Sequence, residues 1–242
     1  MHPTASSDQD ETASSGLGHA TELRRKIAMA RGPLAAALDR FWSLPDAAAR
    51  YPEMLFHIYC VVHATVPVME AARRSAEARA PSDPLAAAVE AYLARHIPEE
   101  VNHDEWLLED LEVLGVNRES VGRRIPPPAA AALIGSVYYW TLHAHPVAWM
   151  GYAAVTEGHP PSEEFLLSFI ERSGLPRQAF RTYLKHAHLD PHHSHEMYAL
   201  LDIMPLSAEH TALLGVVAFQ TIRHVAALFD ALATQKPPRA GS

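Results

Sequence analysis

Between residues 19 and 234 apolar positions recur every three to four residues in long blocks, at roughly 19 to 43, 46 to 80, 83 to 114, 127 to 156, 161 to 173, 176 to 203 and 206 to 234. That spacing lines one face of an amphipathic helix. No block alternates as a half-buried strand does, so the pattern predicts about seven helices and no sheet. Ser82-Asp83-Pro84, Leu44-Pro45-Asp46 and Pro205-Leu206-Ser207 read as helix stops followed by caps, and Gly115 as a helix end. Pro67, Pro98 and Pro146 fall inside blocks, where each either kinks a helix by removing a backbone donor or marks a boundary. Residues 1–16 are polar, Ser-rich and acidic, and residues 236–242 carry paired prolines. Both are expected to be tails around one helical domain spanning 17–235.

Composition narrows the chemistry. At 48% hydrophobic and 20% charged residues, with only 11 Gly among 242 residues, the chain has the makings of a packed helical globule. Its single cysteine, Cys60, excludes an internal disulfide framework and a Cys-rich zinc site, and suits a reducing cytoplasm. A metal would have to be held by histidine and carboxylate. The net charge of −8, with Arg24-Arg25-Lys26 as the one basic cluster, argues against a nucleic-acid surface. No apolar stretch runs the roughly 20 residues of a membrane span without charge, Pro or His, so a cytoplasmic protein with no membrane partner is expected. The expected partner is a small-molecule substrate, and assembly as a homodimer is left open.

Histidine is the outlier: 16 are present, and His186, His188, His192, His193 and His195 fall within ten residues. Upstream, Glu100 and His103 form an E-x-x-H pair whose three-residue step puts both side chains on one helix face. Helical bundles use this spacing to offer a metal one hard oxygen and one imidazole nitrogen. Alone the pair is weak evidence, since it arises by chance on many helices. His96 extends it into an i, i+4, i+7 stripe. In the downstream segment His186, Asp190 and His193 share one face, but so do His188, His192 and His195. Only the first set carries a carboxylate. Asp190-Pro191 could alternatively be a helix N-cap followed by proline in the first turn. Glu157, at the end of the block Val147 to Thr156, is the candidate third carboxylate, although a Glu in a Thr-Glu-Gly-His-Pro turn is ordinarily an exposed helix-end residue.

E-x-x-H, a Glu about fifty residues later and H-x-x-x-D-x-x-H about thirty residues beyond it together resemble the heme-oxygenase-like diiron oxidases and oxygenases. The string EEVNHDEWLLEDLEVLG resembles the iron-containing redox enzymes of that superfamily, and the likeness runs from about residue 20 to 234. The resemblance implies an all-α, single-domain, seven-helix heme-oxygenase-like bundle related also to the TenA proteins. It implies two Fe(II) ions held by Glu100, His103, Glu157, His186, Asp190 and His193, with O2 as co-substrate, and selects that register over His188, His192 and His195. Some members place the first Glu seven residues before the His, a position occupied here by His96, which is the less certain ligand. In this family the last metal helix is often disordered until iron binds.

Relatives with this ligand set N-oxygenate amino-acid amines or guanidines, cleave carbon–carbon bonds of amino acids, or decarboxylate fatty acids. Tyr138, Tyr139, Trp140, His143, His145, Trp149 and Tyr152 suggest an aromatic, polar lining suited to an amino-acid-derived substrate, unless that stripe is ordinary core. The alternatives are a TenA-like hydrolase, a cofactorless oxidase like the pyrroloquinoline quinone synthase, a fatty-acid decarboxylase using the same diiron site, or a metal-binding helical protein without catalysis. A hydrolase would need Cys60 or another nucleophile to be activated, whereas Cys60 lies in an apolar stretch.

Overall fold

In the computed structural model, which describes residues 18–158 and 161–235, the chain is helical, with no strand among the described residues. The helices are α1 (His19–Ala30), α2 (Gly32–Trp42), α3 (Ala47–His63), α4 (Thr65–Arg79), α5 (Pro84–Glu100), α6 (His103–Val113), α7 (Arg118–Arg123), α8 (Pro128–His143), α9 (Ala148–Thr156), α10 (Glu163–Ser173), α11 (Arg181–Ile203) and α12 (Ala208–Thr234). A short 3-10 turn, Arg177–Phe180, leads into α11. The expected tails at 1–16 and 236–242 lie outside the described residues.

Seven periodic blocks therefore become eleven of the twelve α-helices among the described residues, because a continuous apolar period does not register a bend that keeps the same face inward. The first, second, third and fourth blocks each divide in two. Pro67 sits in the first turn of α4 and Pro146 lies between α8 and α9, so both mark boundaries rather than kinks. Pro98 alone of the three is interior, in α5, and Pro52 is a further interior proline in α3. The short α7, capped by the Asn117 side chain, has too few residues to show a period.

The caps act where the sequence places them. Asp83 accepts from the backbone N–H of Leu85 at 2.9 Å and of Ala86 at 3.1 Å, and Pro84 opens α5. Ser207 and His210 form a reciprocal capping box at the start of α12. Gly115, at φ 81°, closes α6: its N–H donates to the Glu112 carbonyl and that of Val116 to Leu111, the Schellman pattern that needs a left-handed residue.

The long helix α12 packs against α1, α2, α3, α8 and α9, and α4 pairs with α5. By length and composition Ala47–Arg79 and Ala208–Thr234 are apolar enough to cross a membrane; here they are the α3–α4 pair and the central helix of the bundle. Gly151 on α9 permits the closest approach to α12, since a Cβ there would lie 2.7 Å from the Leu214 carbonyl oxygen. Trp42 gathers the opposite wall. Its ring meets Phe41 at 5.2 Å, Phe165 at 5.5 Å and Phe169 at 4.9 Å, each edge-on, contacts worth about 0.5–1.5 kcal/mol apiece beyond their buried area.

Candidate metal centre

Pro98 cannot donate a backbone hydrogen bond, and α5 ends two residues later at Glu100. Val101 turns to an extended conformation, Asn102 adopts a left-handed one at φ 71°, and α6 begins at His103. Asparagine tolerates this backbone better than any other residue with a Cβ. The E-x-x-H pair therefore does not lie on a single helix, as its spacing suggested, but straddles a break. The break still brings the two together, with His103 Nδ1 3.0 Å from Glu100 Oε2.

Three other elements face this junction. His96, one turn before Glu100 on α5, has Nε2 3.8 Å from Glu100 Oε1 and 3.9 Å from Glu157 Oε1. Glu157 follows the last turn of α9; its side chain is only 16% exposed, unlike an ordinary helix-end glutamate. From α11, His193 Nδ1 lies 3.6 Å from Glu100 Oε1, and the His186 ring stands edge-on to that of His103 with centroids 5.1 Å apart. His96, Glu100 and His193 each present a ligand atom within 4.8 Å of the other two. His96, the less certain member in sequence, thus lies in the middle of the cluster.

The helix α11 runs through position 191, so Asp190 does not begin a helix. His186 and His193 turn inward, whereas His188 and His195 are exposed. The side chains of Asp190 and His192 lie outside the described residues. The start of α11 is fixed from below by buried Asp110, whose Oδ2 accepts from the Thr182 N–H at 2.9 Å. The Thr182 carbonyl in turn accepts from His186 Nδ1 at 2.9 Å. That hydrogen bond leaves Nε2 of His186 as the basic nitrogen, the arrangement second-shell partners impose on metal-ligating imidazoles.

Sequence reasoning missed Glu99. Its Oε2 lies 2.9 Å from His96 Nδ1 and 3.8 Å from His193 Nε2, and the i, i+3 spacing from His96 was the available signal. Tyr92 stacks on the His96 ring at 5.2 Å, and Trp149 meets its edge at 5.8 Å.

The electrostatics are those of a cation site. Burial alone would strip the proton from His96, but Glu157, Glu99 and Glu100 outweigh it and push its pKa up to about 9. Burial works to raise Glu100 too, yet His103, His96 and His186 hold it below the usual carboxylate range. For Glu157 burial prevails over His96, and the carboxyl is raised. Without a metal, a proton on His96 supplies the positive charge that the carboxylates demand. Among the described residues, buried His96 Nε2, His103 Nδ1 and Glu157 Oε2 make no hydrogen bond of regular geometry. Nitrogen and oxygen lone pairs converging in a buried pocket, with no thiolate, form a donor set that fits a divalent first-row metal such as iron.

Glu100, Glu157 and His186 also line a cavity of about 740 Å³. Of the aromatic and histidine stripe expected to line it, only Tyr152 does. Tyr139 is 57% exposed and Trp149 is fully buried in the core. His145 is consumed by Asp83, and Trp140 donates its indole N–H to Gln220 at 2.6 Å. The walls are instead aliphatic side chains from α2, α3 and α12, together with Trp42, Phe165 and Phe229. Periodicity marks which residues are buried but not which of them enclose a void.

No curated protein matches this chain in sequence. Among solved structures it is similar to a domain of unknown function with a heme oxygenase-like fold from Shewanella denitrificans, at 18% identity and TM-score 0.72, over 88% of this chain and 90% of that one. It is also similar to a TenA homolog from Pseudomonas syringae pv. tomato, at 17% identity and TM-score 0.66, over 90% of this chain and 93% of that one. Such identities show the fold, which is heme oxygenase-like. The model of the iron-containing redox enzymes matches residues 53–227, a span that includes the whole cluster from His96 to His193, and this chain belongs to that family.

Proposed function

We propose that the protein is a non-heme diiron oxygenase that binds two Fe(II) ions and uses O2 to oxidise a small, mainly apolar substrate held in the adjoining cavity. The observation that carries this reading is the junction of the two features: buried imidazole and carboxylate donors, several without a regular hydrogen bond among the described residues, open onto a largely apolar cavity. Glu100, His103, Glu157, His186, Asp190 and His193 would hold the metal, with His96 as a further ligand or as the base that yields its proton when metal enters. Iron at such a site supplies activation of O2 and the two-electron oxidation of a bound organic group.

The chain's own residues supply position and protons. The Thr182 carbonyl fixes the tautomer of His186. Tyr152 lines the cavity, and burial together with nearby Glu157 and Glu100 raises its phenol above the usual range. It therefore stays protonated, a donor on the wall of the cavity that Glu100, Glu157 and His186 also line. The aliphatic walls exclude water from the reacting centre.

The amino-acid-derived substrate expected from sequence rested on the aromatic stripe, which contributes Tyr152 alone to the lining; the walls favour an aliphatic substrate. The hydrolase reading has the TenA fold likeness behind it, but the cysteine it would use is not at the cavity. Cys60 is absent from the lining, and burial pushes its thiol up to about 11.

Anaerobic loading with ferrous iron, followed by metal analysis and O2 uptake, tests the proposal. Close to two irons per chain are expected, with O2 consumption that Glu157→Ala abolishes. Absence of both specific iron uptake and O2 consumption would sink it.

A further inference from the structure

Glu99 and Glu100, neighbours at the end of α5, divide the nitrogens of the same two imidazoles between them. Glu100 Oε1 lies 3.8 Å from His96 Nε2 and 3.6 Å from His193 Nδ1. Glu99 Oε2 lies 2.9 Å from His96 Nδ1 and 3.8 Å from His193 Nε2. Each ring therefore has one nitrogen toward each carboxylate, and the rings meet edge-on with centroids 4.9 Å apart. The pairing joins two helices, since His96 belongs to α5 and His193 to α11.

The two carboxylates differ in burial. The Glu100 side chain is 11% exposed, close to the 9% of His193, whereas that of Glu99 is 50% exposed. Glu99 is thus the outer carboxylate of the pair and Glu100 the inner one. A carboxylate accepts but does not donate, so the 2.9 Å contact puts a hydrogen on His96 Nδ1. The nitrogen left to offer a lone pair is Nε2, which is buried and makes no hydrogen bond of regular geometry among the described residues. His193 repeats the arrangement with its nitrogens exchanged: Nε2 faces the outer carboxylate and Nδ1 the inner one. At His186 the Thr182 carbonyl fills the same place, without a charge. An ion pair as exposed as that of Glu99 contributes little to stability, so its use lies in what it does to the rings. A Glu99 that bound an ion itself would have to give up its hydrogen bond to His96.

We propose that Glu99 is a positioning residue of this centre: from outside the ligand set it directs His96 to bind metal through Nε2 and His193 through Nδ1, and its charge strengthens both rings as ligands. This rests on the metal-binding half of the oxygenase reading and on none of its O2 chemistry.

The test uses the full-length chain with isotope-labelled histidine, saturated with Zn(II), a diamagnetic ion that accepts imidazole nitrogen and carboxylate oxygen. Two-bond proton–nitrogen correlation NMR distinguishes ring nitrogens that bind metal from those that carry hydrogen. Nε2 of His96 and Nδ1 of His193 are expected to bind metal, each with a hydrogen on the other nitrogen of its ring. Glu99→Ala should weaken Zn(II) and Fe(II) binding by about 10- to 100-fold and lose this choice of nitrogens at His96. Glu99→Gln keeps an oxygen for the Nδ1 hydrogen but no charge; it should retain the wild-type nitrogens with an affinity between the other two. Coordination of wild-type His96 through Nδ1, coordination by neither ring, or a Glu99→Ala variant with unchanged affinity and nitrogens each overturns the proposal. The expected nitrogens in a chain whose iron-loaded form consumes no O2 would sink the oxygenase reading alone. O2 consumption with the wrong nitrogens would sink this inference alone.

Discussion

At its N-terminus α5 meets a histidine through Asp83, and at its C-terminus it meets three through Glu100. At the first end His145 has both ring nitrogens engaged: Nε2 donates to Asp83 Oδ2 at 2.9 Å, and Nδ1 accepts from the Val147 N–H at 3.1 Å. The same carboxylate caps the helix. At the second end His96 Nε2 and His103 Nδ1 are buried without a hydrogen bond of regular geometry among the described residues, beside carboxylates from two elements. Histidine beside carboxylate is common to both. Saturation separates them: a pair whose donors and acceptors all match is a joint, and a buried pair left short of partners among the described residues suits a bound ion.

Exchanging the roles should break the comparison most visibly. His96→Ala is expected to weaken ferrous iron binding by about 10- to 100-fold, measured by anaerobic titration, with the bundle intact by circular dichroism. His145→Ala should leave iron affinity unchanged and instead cost about 1–3 kcal/mol of stability, because Asp83 and the Val147 N–H both lose a partner. If His145→Ala lowers iron affinity as strongly as His96→Ala does, the distinction fails.

Smaller changes sharpen it. Asp83→Ala removes the cap of the helix that carries His96 and Glu100, a loss of about 1 kcal/mol. Burial works to raise the Asp83 carboxyl, but His145 and the capped N–H groups hold it below 3.8. A depressed carboxyl contributes stability above its unfolded value and loses it as pH falls through the folded one. The part of the Tm gap between wild type and Asp83→Ala that this carboxylate supplies should therefore be lost as pH falls below about 4. Asn102→Ala, at the left-handed link between α5 and α6, should cost about 1–2 kcal/mol and loosen iron binding, with Asn102→Gly restoring both. Cys60→Ala should have the least effect on activity, leaving O2 consumption unchanged; its loss would return the hydrolase-type nucleophile to consideration.

Much of this was legible in the sequence, unevenly. The helical class and the caps at Asp83 and Ser207 follow from local patterns, which the chain carries residue by residue, whereas the inward face of α11 was read only from the family resemblance. Glu100, His103, Glu157, His186 and His193 could be gathered because helical spacing and a family-like order of ligands survive without coordinates. The break at Val101–Asn102 was hidden, since Glu100 and His103 sit three residues apart whether or not a helix continues between them. The cavity was hidden for a deeper reason. Its walls come from α2, α3, α10 and α12, far apart in the chain, and a residue facing a void has the same apolar character as one facing a neighbour.

Gly151 ties these parts together. It lies six residues before Glu157, about 9 Å along a helix axis. Yet the absence of its side chain lets α9 rest on the Leu214 carbonyl of α12. Any larger residue there would act as a wedge, tilting α9 off its support and carrying the carboxylate at its far end with it. The aperture of the cluster is therefore gauged by a hydrogen atom on the opposite side of the bundle's core, and that position offers a way to adjust the centre without altering a single donor atom.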